Sequence, residues 1–215
     1  MTSYKQKRAD TVIVLDFETT GLSPDRGDRA IEIGAIRIEQ GRITDHFQSL
    51  MNPSKRINTF IEDYTGITNT MLKEAPPCKE VMKKFSNFIE DFDLVAHNAS
   101  FDSRFLTAEL RHIRRACSGE FACSMLVARR LYQDASNHKL GTLVELLSIP
   151  NDGTFHRALA DADMTAHLWL KMLTDITEEY RIRKISFPLM QQISRTSKGS
   201  VHRFLRGWAA SHNNH

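Results

Sequence analysis

Three short stretches of this sequence hold acidic or imidazole side chains at spacings suited to chemistry. In "VIVLDFETTGLS" (residues 12–23) an apolar run fit for a buried strand ends on Asp16 and Glu18. Period-two alternation puts Val12, Val14, Asp16 and Glu18 on one face, with Ile13, Leu15 and Phe17 on the other. Like charges that close raise each other's pKa unless a cation lies between them, so the pair is costly alone and natural around a divalent metal. A solvated strand end with chance acidic residues fits a lone D-x-E equally well.

In "VAHNASFDSRF" (residues 95–105) a short apolar strand ends on His97 and Asn98, and the first turn of a helix follows with Phe101 and Asp102. On that helix Asp102 falls between Phe105 and Leu106 in azimuth, toward the core, and a core-facing carboxylate needs a partner. The positive helix end would stabilise it by up to about 1 kcal/mol, and a metal-linked role is the sharper alternative. In "HRALADAD" (residues 156–163) His156 and Asp161 would differ by roughly 140° on one helix and would not share a face. If His156 instead lies in the connection after Gly153, it can swing toward the side of Asp161 and take a proton near neutral pH. A helix-start histidine without chemistry is the bland reading.

The elements that must position these residues are legible in outline. "TVIVLDFE" reads as a strand buried on both faces. "RAIEIGAIRIEQGRITDHFQSLMNP" reads as two strands joined at Glu39 to Arg42, with Gly41 in the turn. The alternation changes phase at Gly34, since Ile31 and Ile33 share one face and Ile36 and Ile38 the other, and a bulge would account for that. Short helices ended by Pro76 and Pro77 follow, then a helix with Val81, Phe85, Phe88 and Ile89 at helical spacing. "DLVAHN" is a strand, "ASFDSRFLTAELRHI" a helix, and "FACSMLVARRLY" a strand running into a helix. "HRALADADMTAHLWLKMLTDI" is a long helix with Leu159, Ala162, Ala166, Trp169, Leu170 and Leu173 on one face. Two further helices are expected around residues 186–195 and 199–210. Three early strands followed by alternating helices and strands make a mixed-sheet α/β domain.

Taken together and in order, D-x-E, H-N-x-x-F-D and H-x(4)-D closely resemble the DEDD superfamily of 3′→5′ exonucleases. The step from His156 to Asp161 matches its histidine branch, DEDDh, rather than the branch with a tyrosine four residues before the last Asp. The likeness runs from about Thr11 to Thr174 and includes "AIEIGAIRI" and "GITNTML"; the proofreading epsilon subunit of bacterial DNA polymerase III looks nearest. The resemblance implies an α/β fold with a ribonuclease H-like mixed central β-sheet flanked by helices over residues 1–179. A basic helical extension, residues 180–215, would pack on or near it.

The resemblance also implies that Asp16, Glu18 and Asp161 hold one Mg²⁺ or Mn²⁺, that Asp16 reaches a second, and that Asp102 completes the site directly or through water. His156 would deprotonate the attacking water, and a nucleoside 5′-monophosphate would leave. Thr19, Thr20, Leu22 and Phe101 are the candidates for the terminal-nucleotide pocket, with His97 and Asn98 supporting the site. DNA with a single-stranded or frayed 3′ end is the expected substrate, in repair or proofreading. RNA trimming is the alternative, because relatives of both kinds share the five residues. A binding module that has lost catalysis is opposed by the intact Asp16, Glu18, Asp102, His156 and Asp161.

Composition bounds the rest. At 215 residues, with 41% hydrophobic and 26% charged residues, the chain suits one soluble catalytic domain with an appendage, and no apolar run approaches the ~20 residues needed to span a bilayer. The polar amino terminus and the unpaired spacing of Cys78, Cys117 and Cys123 fit a reducing, cytoplasmic setting. The net charge of +3 is uneven: Arg181, Arg183, Lys184, Arg195, Lys198, Arg203 and Arg206 crowd a tail without Asp or Glu and leave the remainder net acidic. Arg195, Lys198, Arg203 and Arg206 are candidates for contacts with DNA phosphates, and a solvated amphipathic appendage fits the charge as well. A polymerase or repair partner is compatible with the sequence but not evident in it. The tail does not read as a flexible polymerase-binding linker, which favours a stand-alone enzyme.

Overall fold

A strand apolar on both faces needs a layer of helices on each side, and the chain supplies both. The computed structural model describes residues 7–151, 153 and 156–212. Its strands are β1 (Val12–Thr19), β2 (Ala30–Glu39), β3 (Arg42–Leu50), β4 (Leu94–Ala96) and β5 (Phe121–Cys123). Its helices are α1 (Thr59–Thr65), α2 (Asn69–Glu74), α3 (Cys78–Ile89), α4 (Ser100–His112), α5 (Ser124–Leu131), α6 (Leu140–Leu146), α7 (Ala158–Tyr180), α8 (Phe187–Arg195) and α9 (Val201–His212). Among the described residues the strands form one mixed sheet in the order β3-β2-β1-β4-β5, with β1 antiparallel to β2 and parallel to β4. None of the helices described is long and apolar enough to cross a membrane.

The two faces of β1 divide the core. Val12 and Val14 join Trp169, Met172 and Ile176 of α7, whereas Ile13, Leu15 and Phe17 join Val81, Phe85 and Ile89 of α3 and Phe105 of α4. The hairpin turns on Gln40 (φ 53°) and Gly41 (φ 77°), the pair of positive angles that a tight two-residue β-turn demands. Helix α6 is an addition to the elements anticipated from sequence. Within α7 the buried stripe runs through Ala158, Asp161, Ala162, Thr165, Trp169, Met172 and Ile176, and Leu159 and Leu170 are only half-buried at its margins.

The bulge expected at Gly34 is absent. β1 and β2 pair in step from Val12–Ile38 to Glu18–Glu32, and their irregularity falls between Glu18 and Thr19. The phase change in the isoleucines has another cause, because both faces of β2 are buried. Ile31 packs with Ile57, Ile67 and Leu72, Ile33 with the α3 layer, and Ile36 and Ile38 with the α7 layer. Gly34 has a different job. A Cβ there would lie 2.2 Å from the Ala158 carbonyl carbon and 2.2 Å from the Leu159 nitrogen, so only glycine lets the start of α7 rest on the sheet.

The carboxyl-terminal helices share the α7 layer. Phe187, Leu189, Met190 and Ile193 of α8, and Val201 and Leu205 of α9, are buried in the same cluster as Val12 and Trp169. The amino-terminal segment ties them further: Ala9 N–H donates to the Ile185 carbonyl (3.0 Å), Phe187 N–H to that of Lys7 (2.9 Å), and Trp169 Nε1 to that of Ala9 (2.7 Å).

Gly34→Ala is expected to destabilise the protein by about 3 kcal/mol, because the added methyl meets backbone that cannot swing away. Urea unfolding measures it. A change below about 0.5 kcal/mol would mean that α7 does not rest on the sheet at this point.

Candidate active site

Each acidic residue singled out in the sequence reaches the end of β1 for a local reason. Asp16 and Glu18 lie opposite Gly34 and Glu32 of β2 and project on the α7 side. β4 pairs with β1 at Ile13 and Val14 and stops at Ala96, so the Phe17 N–H emerges beyond its end. Asp102, in the first turn of α4 and 2% exposed, fills that place: its Oδ1 accepts the Phe17 N–H at 3.1 Å. Asp161 comes from the first turn of α7, which Gly34 admits to the sheet.

His156 precedes α7 with φ at 60°, a left-handed conformation that turns the chain sharply. Its backbone N–H donates to Asp161 Oδ2 at 2.9 Å, and its ring lies against that of Tyr64, centroids 3.9 Å apart. Tyr64 in turn stacks on Phe60, and both are well exposed, at 50% and 69%. Glu18, His156 and Asp161 each offer one ligand atom, and the three atoms lie within 4.8 Å of one another.

The cluster's electrostatics follow from burial and from carboxylates placed close together. Burial, then Asp102, Glu18 and Asp161, hold the Asp16 carboxyl well above its ordinary range. Burial, with Asp161, Glu32 and Asp102, pushes Glu18 up to about 8, and the charge of Arg157 only partly opposes this. Burial raises Asp102 to about 7 against the Phe17 hydrogen bond, and it raises Asp161 against the attraction of His156. The Glu18 and Asp161 carboxylates and the His156 imidazole brought this close, with Asp16 and Asp102 in the same electrostatic cluster, suit a hard divalent cation such as Mg²⁺ or Mn²⁺.

The remaining candidates occupy different settings. Thr19 is buried, its hydroxyl donating to the Gly21 carbonyl at 2.6 Å; Thr20 donates to Asp28 at 3.2 Å; and Leu22 stands 78% exposed beside the cluster's strand. Phe101 is half-buried against Phe105, ring centroids 4.9 Å apart. His97 has both nitrogens engaged, Nδ1 with Ser124 Oγ and Nε2 with the His138 carbonyl, each at 2.9 Å, and burial lowers its pKa to about 4. It is a neutral tie between strand end and loop. Asn98 takes a left-handed angle (φ 71°), and its carbonyl accepts the Phe101 N–H at the start of α4. Arg195, Lys198, Arg203 and Arg206 are all exposed. The segment between α8 and α9 is fixed from the side of α5, through Arg130 Nε to the Thr196 carbonyl and Gln133 Nε2 to that of Lys198, each at 3.0 Å.

Several residues that bear on the site carry no local sequence signature. Glu32 is fully buried opposite Glu18 and pairs with Arg157, and Glu109 of α4 is clasped by Arg29 through two hydrogen bonds of 2.8 Å. An acid inside the apolar run "AIEIG" was the available hint for Glu32. Tyr64 was hidden in a segment that read only as short helices and turns.

Comparison with known proteins gives the family. Residues 13–169 match the family model RNase_T, described as exonuclease. The chain is 39% identical over 174 residues, 81% of its length, to a PolC-type DNA polymerase III from Caldanaerobacter subterraneus subsp. tengcongensis. It is 34% identical over 187 residues, 86% of its length, to the 3'-5' exonuclease DinG of Bacillus subtilis. It spans only 12% and 19%, respectively, of the lengths of these relatives. Among solved structures it resembles exonuclease X in complex with 5' overhanging duplex DNA (25% identity, TM-score 0.66, 85% of this chain and 99% of that one). The nuclease domain of 3'hExo, a DEDDh family member bound to rAMP, shares the fold (22% identity, TM-score 0.67, 81% and 95% covered).

Protonation of the cluster makes stability depend on pH. The folded pKa values of these carboxyls lie above their unfolded values near 4, so the native protein holds extra protons up to about pH 8. Their contribution is fully present below pH 4 and is lost as the pH rises through the folded values. In chelator, the urea midpoint is expected to fall between pH 5.5 and 8.5, by an amount on the order of a few kcal/mol in stability. Saturating Mg²⁺ should raise it more at pH 8.5 than at pH 5.5. Equal effects of Mg²⁺ at the two pH values would contradict the protonated cluster.

Proposed function

The chain belongs to the exonuclease family, and from that premise we propose that it hydrolyses the terminal phosphodiester of a DNA 3′ end and releases nucleoside 5′-monophosphates. The observation that carries this reading is the convergence of Glu18, His156 and Asp161 to within 4.8 Å from two distant parts of the chain. Asp16 and Asp102 stand in the same electrostatic cluster. DNA is favoured over RNA by the PolC-type and DinG relatives and by the DNA-bound exonuclease X structure.

Asp16, Glu18 and Asp161, with Asp102 directly or through water, would hold two divalent cations, whose charge would stabilise the attacking and leaving oxygens of an in-line displacement. The other steps belong to the chain itself. An imidazole nitrogen of His156 would take a proton from the attacking water. The water oxygen bonds to phosphorus, the bond to the 3′ oxygen breaks, and that oxygen takes a proton from solvent, so the shortened strand leaves with a 3′ hydroxyl. Exposed Leu22, with Thr19, Thr20 and Phe101, would hold the terminal nucleotide, and Tyr64, whose ring lies against His156, would add a further aromatic surface. His97 and Asn98 would act beneath it, fixing the turn into α4. Residues 1–179 would then be the nuclease domain, with the basic helices of residues 180–215 adding DNA-phosphate contacts through Arg195, Lys198, Arg203 and Arg206. Repair or proofreading is the setting these relatives suggest.

End-labelled single-stranded, blunt and mismatched DNA and RNA, incubated in Mg²⁺ or Mn²⁺, test the reading. Mononucleotides should appear from DNA 3′ ends, and His156→Ala should lower kcat by a factor of about 10² to 10⁴. Faster trimming of RNA would move the assignment to an exoribonuclease, and no mononucleotide release would overturn it. Replacing Arg195, Lys198, Arg203 and Arg206 together by Ala should weaken DNA binding and flatten its salt dependence; unchanged binding would make the tail purely structural.

A further inference from the structure

Glu32 is the carboxylate of this region that has no part in the hydrolytic mechanism. It lies directly across from Glu18 on the neighbouring strand, where two like charges repel, and it is fully buried. Its four acceptor positions are all taken. Oε1 receives Arg157 Nη2 (2.9 Å) and Gln48 Nε2 (3.0 Å), and Oε2 receives Arg157 Nε (3.1 Å) and the Ala158 backbone N–H (3.1 Å). A carboxylate so occupied has no lone pair left for a cation, although it adjoins a cluster of candidate ligands.

The donors reveal what it holds. Arg157 directly follows His156, and Ala158 is the first residue of α7. The planar fork of Arg157 fixes direction as well as distance, which a point charge would not. Two residues along β2, Gly34 brings the next peptide, Ala158–Leu159, onto the sheet. The chain is thereby anchored between His156 and Asp161, where the Tyr64 ring touches the His156 ring and Asp161 accepts the His156 backbone N–H.

We propose that the Glu32–Arg157 pair is a positioning device that aims His156 at the reaction centre and is itself no ligand or proton carrier. This rests on the hydrolytic reading above only for its kinetic part. Glu32→Gln and Arg157→Lys, each made alone and in a His156→Ala background, test it. In the His156 protein each should lower kcat by about 100-fold with KM little changed, as a displacement near 1 Å can. In the His156→Ala background each should cost less than about 3-fold more, because residues acting through one group are not additive. Mn²⁺ affinity should stay within about 3-fold of the parent.

A readout free of activity accompanies these. In chelator, the His156 Hε1 proton resonance, displaced by the Tyr64 ring, should move in both variants toward its position in Tyr64→Ala. Losses of equal size with and without His156, Mn²⁺ binding that falls along with kcat, or an unmoved Hε1 resonance would overturn the proposal. Arg157→Lys keeps the charge and serves if Glu32→Gln does not fold. A parent protein that releases no mononucleotide would sink the hydrolytic reading alone, and the resonance would still decide the positioning.

Discussion

Four carboxylates that repel one another have to be held at one place before any cation arrives to reconcile them. Left to solvent, such groups would separate, and in a loose segment they would. Here Asp16 and Glu18 are fixed by a strand that pairs with β2 along their own length and with β4 just before them, and Asp102 and Asp161 by the first turns of two helices docked against the same sheet. Burial raises the pKa of all four, and repulsion from the neighbouring carboxylates adds to it at Asp16 and Glu18. Rigid elements and a buried core supply the stabilisation that offsets this cost.

Both helices are seated by the same kind of contact on β2 and the residue before it. Arg29 clasps Glu109 of α4, and Glu109 also accepts the Ala30 N–H; Arg157, at the head of α7, clasps Glu32, which accepts the Ala158 N–H. In each case a buried glutamate gains a bidentate guanidinium and a backbone donor, so its own burial is compensated. The clamps divide labour with the cluster: the paired glutamates hold helices, and the four clustered carboxylates are the ones proposed to hold the ions. Gly34 completes the seat by removing the side chain that would keep α7 away.

Much of this was readable from residues in order. The alternation through Val12, Val14, Asp16 and Glu18 gave the facing of the first pair, the azimuth of Asp102 beside Phe105 and Leu106 gave its burial, and the 140° mismatch meant that His156 could join Asp161 only from ahead of α7, which is where it lies. Two kinds of information were not local. Glu32 and Arg157 are 125 positions apart and Arg29 and Glu109 are 80 apart, and no periodicity links such partners. The other loss came from burial on both faces of β2, where isoleucines of either phase are apolar alike, so Gly34 mimicked a bulge while serving as a contact point between sheet and helix.

Calorimetric titration of Mn²⁺ into the metal-free protein near pH 7, repeated in buffers of different ionisation enthalpy, tests the central claim most directly. Carboxyls kept protonated by burial and mutual repulsion must give up protons when cations bind. Saturable binding of two ions with release of roughly one to two protons, diminishing toward pH 9, is the result expected from Glu18 near 8 and Asp102 near 7. Binding without proton release, or no saturable binding at all, would contradict it.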